Sequence, residues 1–260
     1  MKYSLKQIRQ SLPKEKSKVS SFWVRLWVRE FSYLVTWLCL RLGISANTVS
    51  VLSAIDAFAG CVLLCVPNFI CMLVGVVLIN FWIVLDCVDG NIARVLKKDS
   101  RSGEFFDAVS GYVVCAFAFF AVGVAAYHTS DWWGEYQYLF IVFGALASIT
   151  DLYARLIYQK YTVTRLSLAQ KNGVDYRSEN DNFEKKDKPK GLTYVRLVID
   201  RQTGISALFM PALIVSFVFR RFEFMVLFYC LYHCAAFLYV FVSFLHKATK
   251  LDRTSNDERV

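Results

Sequence analysis

The sequence predicts an all-α integral membrane protein, with six transmembrane helices preceded by an amphipathic interfacial helix. Two observations carry this. Of the 260 residues, 56% are hydrophobic and 16% aromatic, with a mean hydropathy of +0.40, a profile that suits lipid better than a soluble core of this size. The apolar residues also gather into six runs near the roughly 20 residues that cross a hydrocarbon core, at 47–69, 70–95, 104–128, 136–158, 203–219 and 224–246. Three parts follow: a basic tail and interfacial helix over 1–42, a six-helix membrane domain over 43–248, and a tail over 249–260.

In chain order, MKYSLKQIRQSLPKEKSK has basic residues with no apolar core behind them. It is unlike a cleaved signal peptide and is expected to stay on the mature chain. The stretch SSFWVRLWVREFSYLVTWLCLRL mixes aromatics with Arg25, Arg29, Glu30 and Arg41, which favours a helix lying in the interface over a seventh crossing. GISANTVS then supplies a glycine break and a cap, Ser45 or Asn47, for the first crossing. The highly charged QKNGVDYRSENDNFEKKDKPKG after the fourth run reads as a solvated loop. No internal repeat or low-complexity tract interrupts this order.

Lys and Arg set the orientation. They crowd the N-terminal tail, the link around Arg94 to Arg101, the loop over 160–201 and the final tail, whereas HTSDWWGEYQ has none. Both termini and the link between the second and third runs are therefore expected in the cytoplasm, with Arg220 and Arg221 as exceptions. The net charge of +9 points to anionic lipid headgroups rather than nucleic acid, because the basic residues hug the ends of apolar runs. The eight cysteines lie mostly inside those runs without CxxC pairing and read as small apolar residues, not zinc ligands or disulfides.

The chemistry concentrates in DCVDGNIARVLKKDSRSGEFFDAVSG, residues 86–111. Asp86 and Asp89 are three residues apart and share a helix face, which Ala93 continues, while Asp107 lies early in the third run. Acids near a membrane are costly, so the trio needs compensation. Arg94, Lys97, Lys98 and Arg101 supply one form of it as ion pairs; Asp99 reads as solvated. A second form is a hard cation, Mg²⁺ or Mn²⁺, which takes carboxylate oxygens and commonly also binds phosphates. Gly90, Ala93 and Gly103 clear space for a nucleotide or diphosphate, and Arg94 is placed to hold a phosphate oxygen. The joint expectation is phosphoryl transfer at a membrane surface.

These residues resemble the CDP-alcohol phosphotransferase family, also called CDP-alcohol phosphatidyltransferases, whose signature is D-x2-D-G-x2-A-R-x8-G-x3-D-x3-D. Asp86, Asp89, Gly90, Ala93, Arg94, Gly103 and Asp107 stand in register, and the eighth position is Gly111. Six crossings, the preceding amphipathic helix and SANTVS are similar to the family's architecture too. The resemblance implies transfer of a substituted phosphate from a CDP-linked donor to an acceptor alcohol with release of CMP. The expected setting is phospholipid synthesis at the cytoplasmic face of an inner membrane, by a chain that is often a homodimer. It implies that Asp86, Asp89 and Asp107 hold Mg²⁺ or Mn²⁺, that Asp107 acts in catalysis, and that Gly90, Ala93, Arg94 and Gly103 serve the nucleotide.

The departure at Gly111 removes the residue that in the family ligates a second metal and deprotonates the acceptor. Glu104, one turn before Asp107 on the same side, and Asp151, near the cytoplasmic end of the fourth run with Arg155 one turn away as an ion-pair partner, are the candidate carboxylates to substitute. Alternatively, no dedicated base is needed, or the chain is an inactive nucleotide-binding subunit; a transferase serving surface polysaccharide is a further alternative. His128 is expected at the outer end and His233 as a packed core residue. Tyr153 and Tyr158 suit an aromatic belt, and Arg196, Asp200 and Arg201 read as surface anchors or contacts to an acidic headgroup.

Overall fold

The computed structural model describes residues 3–13, 20–98, 101–171, 198–199 and 201–257. It is 88% helical, has no strand among the described residues, and contains six helices long and apolar enough to span a membrane. A short helix α1 (Leu5–Gln10) leads to α2 (Arg29–Leu42), which a π-helical turn over Val24–Val28 precedes. The first four spans are built on α3 (Ala46–Leu64), α4 (Phe69–Leu96), α5 (Arg101–Thr129) and α6 (Leu139–Lys171). The fifth span runs over Arg201–Phe219, a π-helical turn at Ile205–Phe209 feeding α7 (Met210–Phe219); the sixth lies in α8 (Phe222–Asp257).

Local chemistry sets the boundaries. Gly43, at φ +72°, ends α2 in the left-handed region, which glycine enters at little cost. Ser45 then caps α3, its side chain accepting from the Thr48 amide at 3.2 Å. The first two spans divide earlier than hydropathy places them: α3 stops at Leu64, and Asn68 caps α4 by accepting from the Ile70 and Cys71 amides. Pro67 and Asn68 turn the chain there while Val66 and Phe69 keep the apolar run unbroken. At the other end, α6 continues as helix through 159–171, residues whose composition reads as loop, with Tyr158 and Tyr161 packed edge-on against Phe244 of α8.

The spans meet at backbone distance where glycines face each other. A Cβ on Gly75 of α4 would lie 2.7 Å from the Gly60 carbonyl oxygen of α3, and one on Gly123 of α5 would lie 2.5 Å from the Phe140 carbonyl oxygen of α6. Small residues allow such approach where lipid provides no hydrophobic drive between helices. A hydroxyl seam crosses the same core: Trp82 Nε1 donates to Ser110 Oγ at 3.0 Å, and Ser110 Oγ meets Ser53 Oγ at 2.6 Å.

Helix α2 is amphipathic in an inverted sense. Its polar side, Ser32, Tyr33 and Thr36 with Cys39, is buried against α4, while Phe31, Leu34, Leu38 and Leu42 are exposed. An apolar outer face of this kind suits lipid contact. Several element ends gather at one end of the bundle: Ser21 Oγ donates to the Ser206 carbonyl at 2.6 Å, the Phe22 amide to Gln202 Oε1 at 3.1 Å, and Asn47 Nδ2 to Ser102 Oγ at 3.3 Å.

Candidate functional site

At that end a cavity of about 350 Å³ opens between α2, α4, α5 and the start of the fifth span. Helix α4 contributes Asp86, Asp89, Gly90 and Arg94 to its wall, and α5 contributes Asp107. Five of the seven signature residues therefore share one space, although Asp107 is eighteen residues along the chain from Asp89. Ala93 and Gly103 are half-buried and do not line it. Asp99, Arg196, Asp200 and the Arg101 side chain lie outside the described residues.

The cavity carries both signs of charge. Asp89 is buried, and its Oδ2 accepts from Ser50 Oγ of α3 at 2.5 Å. Facing the acids are Arg94, Arg201 and Arg29, the last held by a hydrogen bond to Ser20. Gly90 has a specific use here: a Cβ at that position would stand 3.1 Å from Arg94 Nη1, so glycine lets the guanidinium fold back over its own helix. Asn91 fixes it in place. Its Oδ1 accepts from Arg94 Nη2 at 2.8 Å, and its Nδ2 donates to Ser32 Oγ and Thr36 Oγ1 of α2, each at 3.2 Å.

Among the described residues, Nη1 of Arg29 and Nε of Arg94 are buried without a hydrogen-bond partner. Such donors are expensive to leave unpaired, and here both belong to cations lining a cavity, an arrangement that fits an anionic phosphate guest. Burial pushes the Tyr33 phenol up, against the opposing pull of Arg29 and Arg94.

Three carboxylates on the wall are the donor type that Mg²⁺ or Mn²⁺ takes. Among the described residues, however, no three His, Cys, Asp or Glu side chains stand close enough to form a preformed metal cluster. The chemistry of the donor set fits a divalent cation; the carboxylates line one cavity without meeting at one point.

The substitute carboxylates part ways. Glu104 is exposed on α5 and lines no described cavity with the other acids. Asp151 is buried on α6 and pairs with Arg155, whose Nε lies 3.1 Å from Oδ2, while His233 Nδ1 of α8 lies 3.5 Å from Oδ1. His233 packs against Phe119, Tyr229 and Tyr232, and His128 is exposed near the far end of α5. The eight cysteines are free thiols.

From the sequence Arg29 reads only as an interfacial charge, and nothing there singles out Ser50 or Asn91. Arg29 had one visible signal, a cation within an aromatic run. Ser50 and Asn91 act through partners 39 to 59 residues away, which no local pattern reveals.

A family model described as CDP-alcohol phosphatidyltransferase matches residues 43–173, half of the chain. That stretch contains α3 to α5, α6 through Lys171, and every residue of the signature. No curated protein and no solved structure matches the chain.

Proposed function

The chain belongs to the CDP-alcohol phosphatidyltransferase family of membrane transferases, and we propose that it moves a substituted phosphate from a CDP-linked donor to an acceptor alcohol, releasing CMP. The observation that carries this reading is the single cavity shared by Asp86, Asp89, Gly90, Arg94 and Asp107, with buried guanidinium donors on its wall. The donor's diphosphate lies against Arg94, Arg29 and Arg201. Gly90 gives the Arg94 guanidinium room to lie beside the nucleotide, with Ala93 and Gly103 as further small residues on the same two helices.

The transfer balances simply. The acceptor oxygen forms a bond to the donor's β-phosphorus, and the bond from that phosphorus to the oxygen of the CMP moiety breaks. CMP leaves with the electron pair, and the acceptor's proton passes to a base or to water. Asp86, Asp89 and Asp107 would hold Mg²⁺ or Mn²⁺, which would supply positive charge to stabilise the diphosphate as it is transferred. Asn91 keeps Arg94 aimed, and Asp107 is the acid nearest in sequence to the position where the acceptor's base is missing.

By the distribution of Lys and Arg, the cavity faces the cytoplasm of an inner membrane, where a soluble nucleotide headgroup is at hand, and phospholipid synthesis is the setting. Gly111 favours one other reading, a subunit that binds a CDP-linked donor without turning it over. Binding of CDP to purified protein with Mg²⁺, measured by calorimetry, tests the donor site under either reading. Asp86→Ala is expected to weaken it about 100-fold, or ~2.8 kcal/mol; unchanged affinity would remove Asp86 from the site.

A further inference from the structure

Helices α6 and α8 are longer than a bilayer needs. Their 33 and 36 residues make rods of roughly 50 Å at about 1.5 Å per residue, against about 30 Å of hydrocarbon. Their apolar runs begin close to the helix starts and stop near 158 and 246, so the excess lies at the end rich in Lys and Arg. The two run side by side in the same direction: Tyr153 meets Phe237 edge-on with ring centres 6.4 Å apart, and two turns on Tyr161 meets Phe244 at 5.0 Å.

A groove of about 470 Å³ lies between them at this level. Leu156 and Ile157 of α6 and Phe241 and Leu245 of α8 give it apolar walls. Lys160 borders it one turn beyond Leu156, and Lys247 Nζ lies 5.1 Å from the centre of the Phe244 ring, which is part of the lining. These are the first lysines to follow the two apolar runs, and the contact of Tyr161 with Phe244 sets them at one height. No Asp or Glu lines the groove, and neither lysine has an ion-pair partner among the described residues.

We propose that this groove binds an anionic phospholipid of the surrounding bilayer, one acyl chain lying along the apolar walls and the phosphate meeting Lys160 and Lys247. The trough crosses the level where hydrocarbon gives way to headgroups, and its two cations stand at the polar end. Basic groups at that height attract anionic lipid, whereas a zwitterionic lipid brings its own cation towards them. A lipid so held bridges α6 and α8. None of the lining residues borders the cavity of Asp86, Asp89 and Asp107, so the site is separate from the transferase reading and does not depend on it.

Native mass spectrometry of the full chain in detergent, titrated with palmitoyl-oleoyl phosphatidylglycerol or phosphatidylcholine, reads lipid bound per chain. Phosphatidylglycerol is expected to bind with a preference of roughly 10-fold over phosphatidylcholine, the scale set by two lysines at a membrane surface. Lys160→Gln combined with Lys247→Gln is expected to abolish that preference. Lys6→Gln combined with Lys171→Gln removes the same charge from residues that do not line the groove and is expected to keep it. Ala248→Phe, which fills the groove from α8, is expected to weaken binding of both lipids. Thermal midpoints close to the native value show that the variants fold.

Binding of neither lipid, or equal binding of the two, overturns the proposal. So does an equal loss of preference in the Lys6 and Lys171 double variant, which reduces the effect to general surface charge, or unchanged binding in both groove variants. A native dimer that Ala248→Phe dissociates overturns it as well, because the groove is then covered by a second copy of the chain.

Discussion

Asn91 shows how one neutral side chain can set the geometry of a charged one. It links the polar side of α2 to the Arg94 guanidinium through three hydrogen bonds of 2.8 to 3.2 Å, each worth about 1 kcal/mol in a typical setting. Asn91→Ala is expected to leave the fold intact and weaken CDP binding about 10-fold, ~1.4 kcal/mol by calorimetry; an unaltered affinity would show that Arg94 needs no such support. The signature residues around it were legible because chemistry fixed both their type and their spacing. Asn91, Ser50 and Arg29 were not, because their meaning depends on helices brought alongside by folding.

At the level of elements, hydropathy revealed all six spans, since about 20 apolar residues have no other stable place to go. It misjudged where helix stops once hydropathy falls: α6 runs on to Lys171 because Tyr158 and Tyr161 still find Phe244 on α8. The amphipathic character of α2 was legible too, but its direction was not. Only the partner helix shows that Ser32 and Thr36 turn inward to Asn91. Helix contacts also explain which glycines tolerate a side chain. Gly123→Val drives a Cβ to within 2.5 Å of the Phe140 carbonyl oxygen, and overpacking of this kind costs about 3 kcal/mol. Its thermal midpoint in detergent is expected well below that of Gly111→Ala, where nothing lies within 4 Å of the new atom; equal midpoints would contradict the close packing of α5 on α6.

On the scale of the whole molecule, the bundle gathers the ends of α2, α4, α5 and the fifth span around the acids. Gly111, one turn beyond Asp107 on α5, is the one departure from the signature. A Cβ at that position would meet nothing within 4 Å, and Gly111→Asp separates a missing base from a missing function. The most direct test of the account is CMP release from CDP-linked donors by the purified protein with Mg²⁺ or Mn²⁺, comparing the native chain, Gly111→Asp and Asp86→Ala. The account predicts metal-dependent CMP release by the native chain, a rate raised in Gly111→Asp by up to the roughly 10²-fold typical of a restored general base, and loss of release in Asp86→Ala. Absence of release from both the native chain and Gly111→Asp, or release undiminished in Asp86→Ala, would contradict it.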